Sequence, residues 1–306
     1  MTQKPEVPAF SVVIPTHERP ELVKRAVRSV LAQSFTDFEL LVVDDASGPA
    51  TAEAVGGFGD PRLRFLRLEK NGGPAAARNL GVERAAAPWL AFLDDDDELE
   101  PDFLAEVERV TRSAPEDLGF LWTGVYEVRD AEDGAEVLRE RLWREPREPI
   151  GSMSYGVVVR RAAFDRVGRF DETLWGVEDT DLLFRLAGHC GFTAIERLLV
   201  RRHHHPGAQL IDPSPRRLEA LERFGAKHRD YLESEAQRWR NFCTKVAALA
   251  YRLGERGRGR LWLGRLLRRQ PWRPTNWKSL LFFEVFGTEA LGLRQRWASF
   301  WHGGLQ

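Results

Sequence analysis

The 306-residue chain is poor in cysteine: Cys190 and Cys243 lie far apart and without metal-ligand spacing. They read as reduced core thiols, which fits a cytoplasmic protein. No uninterrupted apolar run approaches the ~18 residues that a spanning helix needs. The opening MTQKPEVPAF has no apolar h-region, so no signal peptide is expected there. Net charge is only −1, so no global field points to nucleic acid. There is no P-loop, no Ser/His/Asp or Cys/His nucleophilic arrangement of comparable support, no internal repeat and no low-complexity segment.

What is present is a soluble globular composition, 43% hydrophobic and 30% charged, with room for one large domain or two smaller ones. Tyr251 to Phe300 holds eleven Lys/Arg against three Asp/Glu, and residues 251 to 306 hold five of the ten tryptophans. The tail therefore differs in chemistry from the body.

The N-terminal third alternates strand and helix. Phe10 to Ile14 (FSVVI) and Phe38 to Val43 (FELLVV) are continuous apolar runs of the kind buried parallel strands show. Between them Pro20 opens a helix with Leu22, Val23, Ala26, Val27, Val30 and Leu31 on its apolar face. Arg62 to Leu68 alternates like a more exposed strand. Asn71-Gly72-Gly73-Pro74 is a turn feeding an alanine-rich helix to about Ala86. Trp89 to Leu93 is a fourth strand, followed by a helix beginning near Pro101. Strands are also expected at Phe120–Val128 and about Glu136–Leu142, joined by the turn Asp130 to Gly134, then at Ser154–Arg160 and Ile195–Val200. A helix is expected from about Glu178 to Ala187, and helices from Pro213 onward. This order predicts an α/β fold with a doubly wound, mostly parallel sheet.

Strand ends carry the chemistry. Pro15-Thr16-His17-Glu18-Arg19, Asp44-Asp45-Ala46-Ser47 and Asp94 to Asp97 each close a strand. In a parallel sheet such loops share one edge and converge on one crevice. Asp45 is suited to accept hydrogen bonds from a nucleobase N–H or ribose hydroxyls, or equally to cap a turn. Four adjacent carboxylates repel one another, and Mg²⁺ or Mn²⁺ would relieve that cost. Read alone, the run is also a solvated acidic turn before a helix. Arg78 sits one turn into the helix after the glycines, placed for an anionic or carbonyl group or for a surface acid. Glu178 and Asp179 open a helix, either as partners of its dipole or as a general base. Among His203, His204 and His205 one nitrogen ligand for Mn²⁺ is available, and the alternative is a polar loop.

Together SVVIPTHERP, LLVVDDAS, NGGPAAARN, WLAFLDDDDELEP and VGRFDETLWGVEDTDLLFRLA, in this order over about residues 10 to 205, resemble glycosyltransferase family 2. The resemblance implies a GT-A (Rossmann-like) mostly parallel twisted sheet flanked by helices, with a C-terminal helical extension. It implies a catalytic domain over 1–212, with nucleotide-sugar binding over about 9–125 and the acceptor and base region over about 126–212. Residues 213–306 form the extension. Carried over, Pro15, Thr16 and Glu18 line the nucleoside pocket, Asp44 or Asp45 meets base or ribose, and Arg78 sits near the nucleotide. Asp94-x-Asp96 matches the metal motif: Mn²⁺ or Mg²⁺ on Asp96 and Asp94, Asp95 beside the donor, and His203 or His205 as a further ligand. Asp179 is the expected base, with Glu178 its neighbour or alternate. The implied reaction is an inverting, metal-dependent transfer from a nucleoside-diphosphate sugar, UDP foremost, to a glycan, lipid-linked or small-molecule hydroxyl in bacterial surface glycan synthesis. The competing classes are a nucleotidyltransferase and a sugar-nucleotide binder without turnover. No nucleic-acid partner is expected. Arg260–Arg269 (RLWLGRLLRR) suits either an interfacial helix at the inner face of the plasma membrane or a packed helical cap. Trp277–Phe286 suits core, membrane contact or a homodimer interface.

Overall fold

The computed structural model describes residues 7–131, 134–142, 153, 156–204 and 213–286. The chain forms two compact units: residues 1–173 with 177–207, and residues 174–176 with 208–306.

In the first unit a nine-stranded sheet is built around β1 (Phe10–Thr16). This strand pairs in parallel with β2 (Phe38–Asp44) on one side and β4 (Trp89–Phe92) on the other. All seven residues of β1 and of β2 are buried, and so are the four of β4. Both faces are covered, which is why these strands read as mainly apolar runs. The outer β3 (Leu63–Arg67) pairs in parallel with β2 and is half exposed, matching its alternation. Parallel pairing requires crossovers. They are α1 (Pro20–Leu31), α2 (Pro49–Gly56) and α3 (Pro74–Arg84), each with proline in its first turn. Helix α3 lies close on the sheet because Gly81 has no Cβ: one there would overlap Val13 Cγ1 and sit 3.3 Å from Val43 Cγ2.

Beyond β4 the sheet is mixed. After the two-residue β5 (Glu98–Leu99) and α4 (Phe103–Thr111), β6 (Leu118–Ala131) forms an antiparallel hairpin with β7 (Gly134–Arg141). Then β8 (Val158–Arg160) fits antiparallel between β4 and β6. Helices α5 (Arg161–Val167) and α6 (Glu178–Ala187) lead to β9 (Gly191–His204), which runs parallel to β6 and antiparallel to β5. The parallel expectation thus holds for β1 to β4, and the later strands mix antiparallel pairs with the parallel β6–β9 pair. Of the strand expected at Ser154–Arg160, residues 158–160 are strand, and Ser154 lies outside the described residues. One continuous core joins both halves of the sheet through Ile14, Leu41, Leu90, Phe103, Trp122 and Val158.

The second unit is helical: α7 (Pro215–Lys227), α8 (Arg229–Glu233), α9 (Ala236–Arg252), α10 (Arg256–Arg269) and α11 (Pro274–Phe286). The Ser214 hydroxyl caps α7 by accepting from the Arg217 N–H at 3.2 Å. In α10, Trp262, Leu263 and Leu266 are buried while Leu261 is exposed. No helix of the described residues is long and apolar enough to cross a membrane.

Candidate active site

Loops at the carboxyl ends of β1 and β2 are tied to each other. The Glu18 N–H donates to Ser47 Oγ at 2.8 Å, and Glu18 Oε1 accepts from the Gly48 N–H at 2.8 Å. Glu18 and Ala46 both hold left-handed backbone, φ 53° and 59°, conformations that cost non-glycine residues about 1–3 kcal/mol. Asp45 lies beneath: Oδ1 accepts from the Gly72 N–H and Oδ2 from the Gly73 N–H, each at 2.7 Å. Both carboxylate oxygens thus pin the glycine turn, where Gly73 has φ 86°. Asp44 is fully buried; it accepts from the Ser47 N–H at 3.1 Å and pairs with Arg67 at 3.4 Å. Asp44 and Asp45, both expected on base or ribose, thus also fix the backbone of this crevice wall. Pro15 belongs to buried β1, and the Thr16 hydroxyl donates to Asp95 Oδ2 at 2.8 Å.

The acids after β4 form a turn rather than a strand continuation. The Asp97 N–H donates back to the Asp94 carbonyl at 3.2 Å, a four-residue turn that brings positions 94, 96 and 97 together. One carboxylate oxygen from each lies within 4.8 Å of the others. Asp95 points elsewhere, buried between Thr16 and Arg19, whose Nη1 reaches Asp95 at 3.2 Å and Asp96 at 3.0 Å. Burial first, and then the charge of Asp96, push the Asp95 pKa up to about 6. Asp97 is raised well above the ordinary range by burial and by Asp96 and Asp94.

This cluster fits a hard divalent cation. Three oxygens around Mg²⁺ at ~2.1 Å include at least two neighbouring pairs ~3.0 Å apart, so carboxylates whose oxygens already lie within 4.8 Å would draw together on a cation. The donor set is oxygen only, and its mutual repulsion is what a cation relieves. Asp97 was not among the residues expected to bind metal. Its signal was the fourth consecutive acid, readable only once the turn was known.

Across the crevice the start of α6 supplies Glu178 and Asp179, both buried. Asp179 Oδ2 accepts from the Met153 N–H at 3.1 Å. Arg78, 3% exposed, joins the two acid groups: Nη2 donates to Asp94 Oδ1 at 2.6 Å and Nη1 to Glu178 Oε1 at 3.0 Å. Burial alone would lower the Arg78 pKa, but Asp94, Glu178 and Asp179 together hold it above its ordinary value. Glu178 is raised by burial and by Asp179. Asp179 is raised by burial, against the pull of Arg78. Glu178 Oε2 is buried with no hydrogen-bond partner. Asn79, next to Arg78, exchanges two 3.0 Å hydrogen bonds with the Phe170 backbone and so fixes the segment leading toward α6.

His203 is not in the oxygen cluster. Its Nε2 meets Glu98 Oε2 at 2.7 Å, and its backbone N–H donates to Asp97 at 3.1 Å. The β5–β9 pairing sets that geometry, because Glu98 faces Arg201 in the register and His203 follows two residues later. In this structure His203 orients Asp97 through its backbone N–H, and its ring meets Glu98. His205 lies outside the described residues.

Parallel strands delivering clustered carboxylates to one edge, beside a clamped glycine turn, define an open α/β domain with its polar groups gathered at the carboxyl ends of the strands. Comparison with known proteins narrows this class. Residues 11–149 match the family model described as Glycosyl transferase family 2. The chain is 26% identical over 249 residues to the putative colanic acid biosynthesis glycosyl transferase WcaA of Escherichia coli, covering 77% of this chain and 86% of that protein. It is 40% identical over 99 residues to the succinoglycan biosynthesis protein ExoO of Rhizobium meliloti, covering 32% of this chain and 28% of that protein. The structure of S. aureus TarS 1-349 in complex with UDP-GlcNAc matches with TM-score 0.59 at 19% identity, over 87% of this chain and 74% of that one. Residues 11–149 are thus similar to glycosyltransferase family 2, and WcaA, similar over more of the chain, is itself named a glycosyl transferase.

Proposed function

We propose that the chain transfers a sugar from a UDP-sugar to an acceptor hydroxyl with inversion at the anomeric carbon, in the synthesis of a bacterial surface glycan. The observation that carries this reading is the single charged bridge from the cation-suited acids to a buried carboxylate pair: Asp94–Arg78–Glu178, with Asp179 alongside. The colanic acid, succinoglycan and UDP-GlcNAc associations of the relatives support the donor and product classes.

In this reading the nucleoside lies against the loops after β1 and β2, walled by the turn that Asp45 clamps. Asp94, Asp96 and Asp97 would hold a divalent cation, Mn²⁺ or Mg²⁺, which supplies positive charge to the departing diphosphate. Arg78 adds a fixed positive charge beside the same group. Asp179 takes the proton from the acceptor hydroxyl, and its raised pKa makes it a better base than an ordinary carboxylate. The freed oxygen forms the new bond to the anomeric carbon as the bond to phosphate breaks, and the nucleoside diphosphate leaves with the electron pair. Attack and departure on opposite faces invert the centre in one displacement. Glu178, salt-bridged to Arg78, positions the pair. The work belongs at the inner face of the plasma membrane, where lipid-linked acceptors are met.

The test is Asp179→Asn. Donor binding measured by calorimetry should persist while transfer falls by about 10²–10⁴-fold. Unchanged transfer removes Asp179 from the mechanism.

A further inference from the structure

The helical unit contains a cavity that the transfer reaction does not use. Its volume is about 280 Å³, and α7, α9 and α10 line it with Glu222, Trp239, Arg258, Trp262 and Arg265, while Arg229 of α8 adds a further charge. The lining holds three arginines against one glutamate, and Arg229 Nε lies 3.7 Å from Glu233 outside the lining. The glutamate is already satisfied: Arg258 Nη2 donates to it at 2.6 Å and Trp262 Nε1 at 3.0 Å. Burial pushes its pKa up, but those hydrogen bonds outweigh burial and hold it below the ordinary range. Arg265 is different. Its guanidinium stacks 4.3 Å over the Trp262 ring, and its charge also helps to hold the Glu222 pKa down, while the salt bridge to Glu222 is that of Arg258. Trp239, 3% exposed, lines the same cavity, and its indole N–H is buried with no hydrogen-bond partner. A buried donor left unpaired is costly, and native proteins rarely keep one without a reason.

We infer that this cavity is a binding site for a phosphate monoester, whose oxygens pair with Arg265 and Arg229 and accept from the Trp239 N–H while its organic part lies on the Trp262 face. The sign of the charge matches: arginines outnumber acids on the lining, and a phosphate monoester is dianionic or nearly so at neutral pH. The size matches too, since a cavity at the small end of ligand pockets holds a phosphate and a few attached carbons. Planar guanidinium forks are the side chains best shaped for phosphate oxygens. The ester has two sources, a soluble metabolite or a lipid headgroup, and exposed Leu261 on the lining gives an alkyl chain an apolar exit.

The experiment uses the full chain in EDTA, which removes divalent cations from the acids of the sheet unit. One arm titrates glycerol 3-phosphate by calorimetry. The other measures sedimentation with phosphatidylcholine vesicles with and without phosphatidic acid. Arg265→Glu should weaken binding by at least tenfold, and Trp239→Phe, which keeps the ring and removes the N–H, by about threefold to tenfold. Circular dichroism confirms that both variants fold, and UDP binding in Mn²⁺ should be unchanged in both. Glycerol 3-phosphate binding that responds to both variants establishes the site with a soluble ligand. Binding only to phosphatidic acid vesicles, with the same two responses, establishes it with a lipid one. No binding in either arm overturns the site. A response to Arg265→Glu without a response to Trp239→Phe also overturns it, since a diffuse basic surface would behave that way.

Discussion

Replacing Arg78 by Met tests how the two acid groups are held together. The wild-type guanidinium is 3% exposed and bonds Asp94 at 2.6 Å and Glu178 at 3.0 Å, with the Phe170 ring 5.7 Å away. Methionine keeps much of the packing and removes the charge. Glu178 and Asp179 are then buried carboxylates without a counter-charge, a change that costs about 3–5 kcal/mol when a buried pair is broken. For a unit of this size that is about 6–20 °C in Tm. The loss depends on pH. Without Arg78 the folded-state pKa values of Glu178 and Asp179 rise further above their unfolded values. The variant's stability is thus retained at low pH and lost as pH rises through those values. Thermal unfolding followed by circular dichroism at pH 5 and pH 8 should show a deficit that widens with pH. Adding Glu178→Gln to the variant should recover part of it, because the uncompensated charge is removed. A deficit below about 1 kcal/mol, or one equal at both pH values, refutes the bridge as a charge-compensating element.

Asp97→Asn should weaken Mn²⁺ binding by about tenfold or more, measured by calorimetry; affinity equal to wild type would take Asp97 out of the ligand set. Asp95→Asn addresses the buried acid that faces Thr16 and Arg19. A folded-state pKa of about 6 against 3.8 for a free side chain means stability that is present below pH 3.8 and declines as pH rises through 6, by about 3 kcal/mol in all. In EDTA the variant should therefore lose less stability than wild type between pH 4 and pH 7; parallel curves would contradict the assignment. Gly81→Ala should destabilise by about 1–3 kcal/mol through overlap with Val13, read by chemical denaturation, and a neutral result would mean α3 can move off the sheet.

Much of the sheet was legible from residue order. Strands β1, β2 and β4 are buried on both faces, so they read as mainly apolar runs interrupted only by Ser11 and Glu39, and Pro20 marks the start of α1; Pro15, read as the end of the first strand, lies within β1, which pairs on to Thr16. Helix α2 (PATAEAVG) went unread because its eight residues bury only Thr51 and Val55, too few to show a period. Strand β9 extends to His204, well past Val200, since it carries Glu196, Arg197, Arg201 and Arg202, and polar residues of that density read as loop. At the site, the acids and Arg78 were visible as residue types at strand and helix ends. Their division of labour was not. The Asp94-to-Asp97 turn decides which carboxylates converge, and the long-range register of β5 on β9 decides that His203 meets Glu98. That Asp45 clamps the glycine turn was not readable, because its partners, the Gly72 and Gly73 N–H groups, are backbone and leave no trace in side-chain identity.

Metal-dependent donor binding is tested most directly by calorimetric titration of UDP, dTDP and GDP into the full chain, with Mn²⁺ and without. UDP should bind, its binding should require Mn²⁺, and Asp96→Ala should abolish it. Failure of every diphosphate to bind under either condition, or binding that ignores both Mn²⁺ and Asp96→Ala, would contradict the proposed transferase.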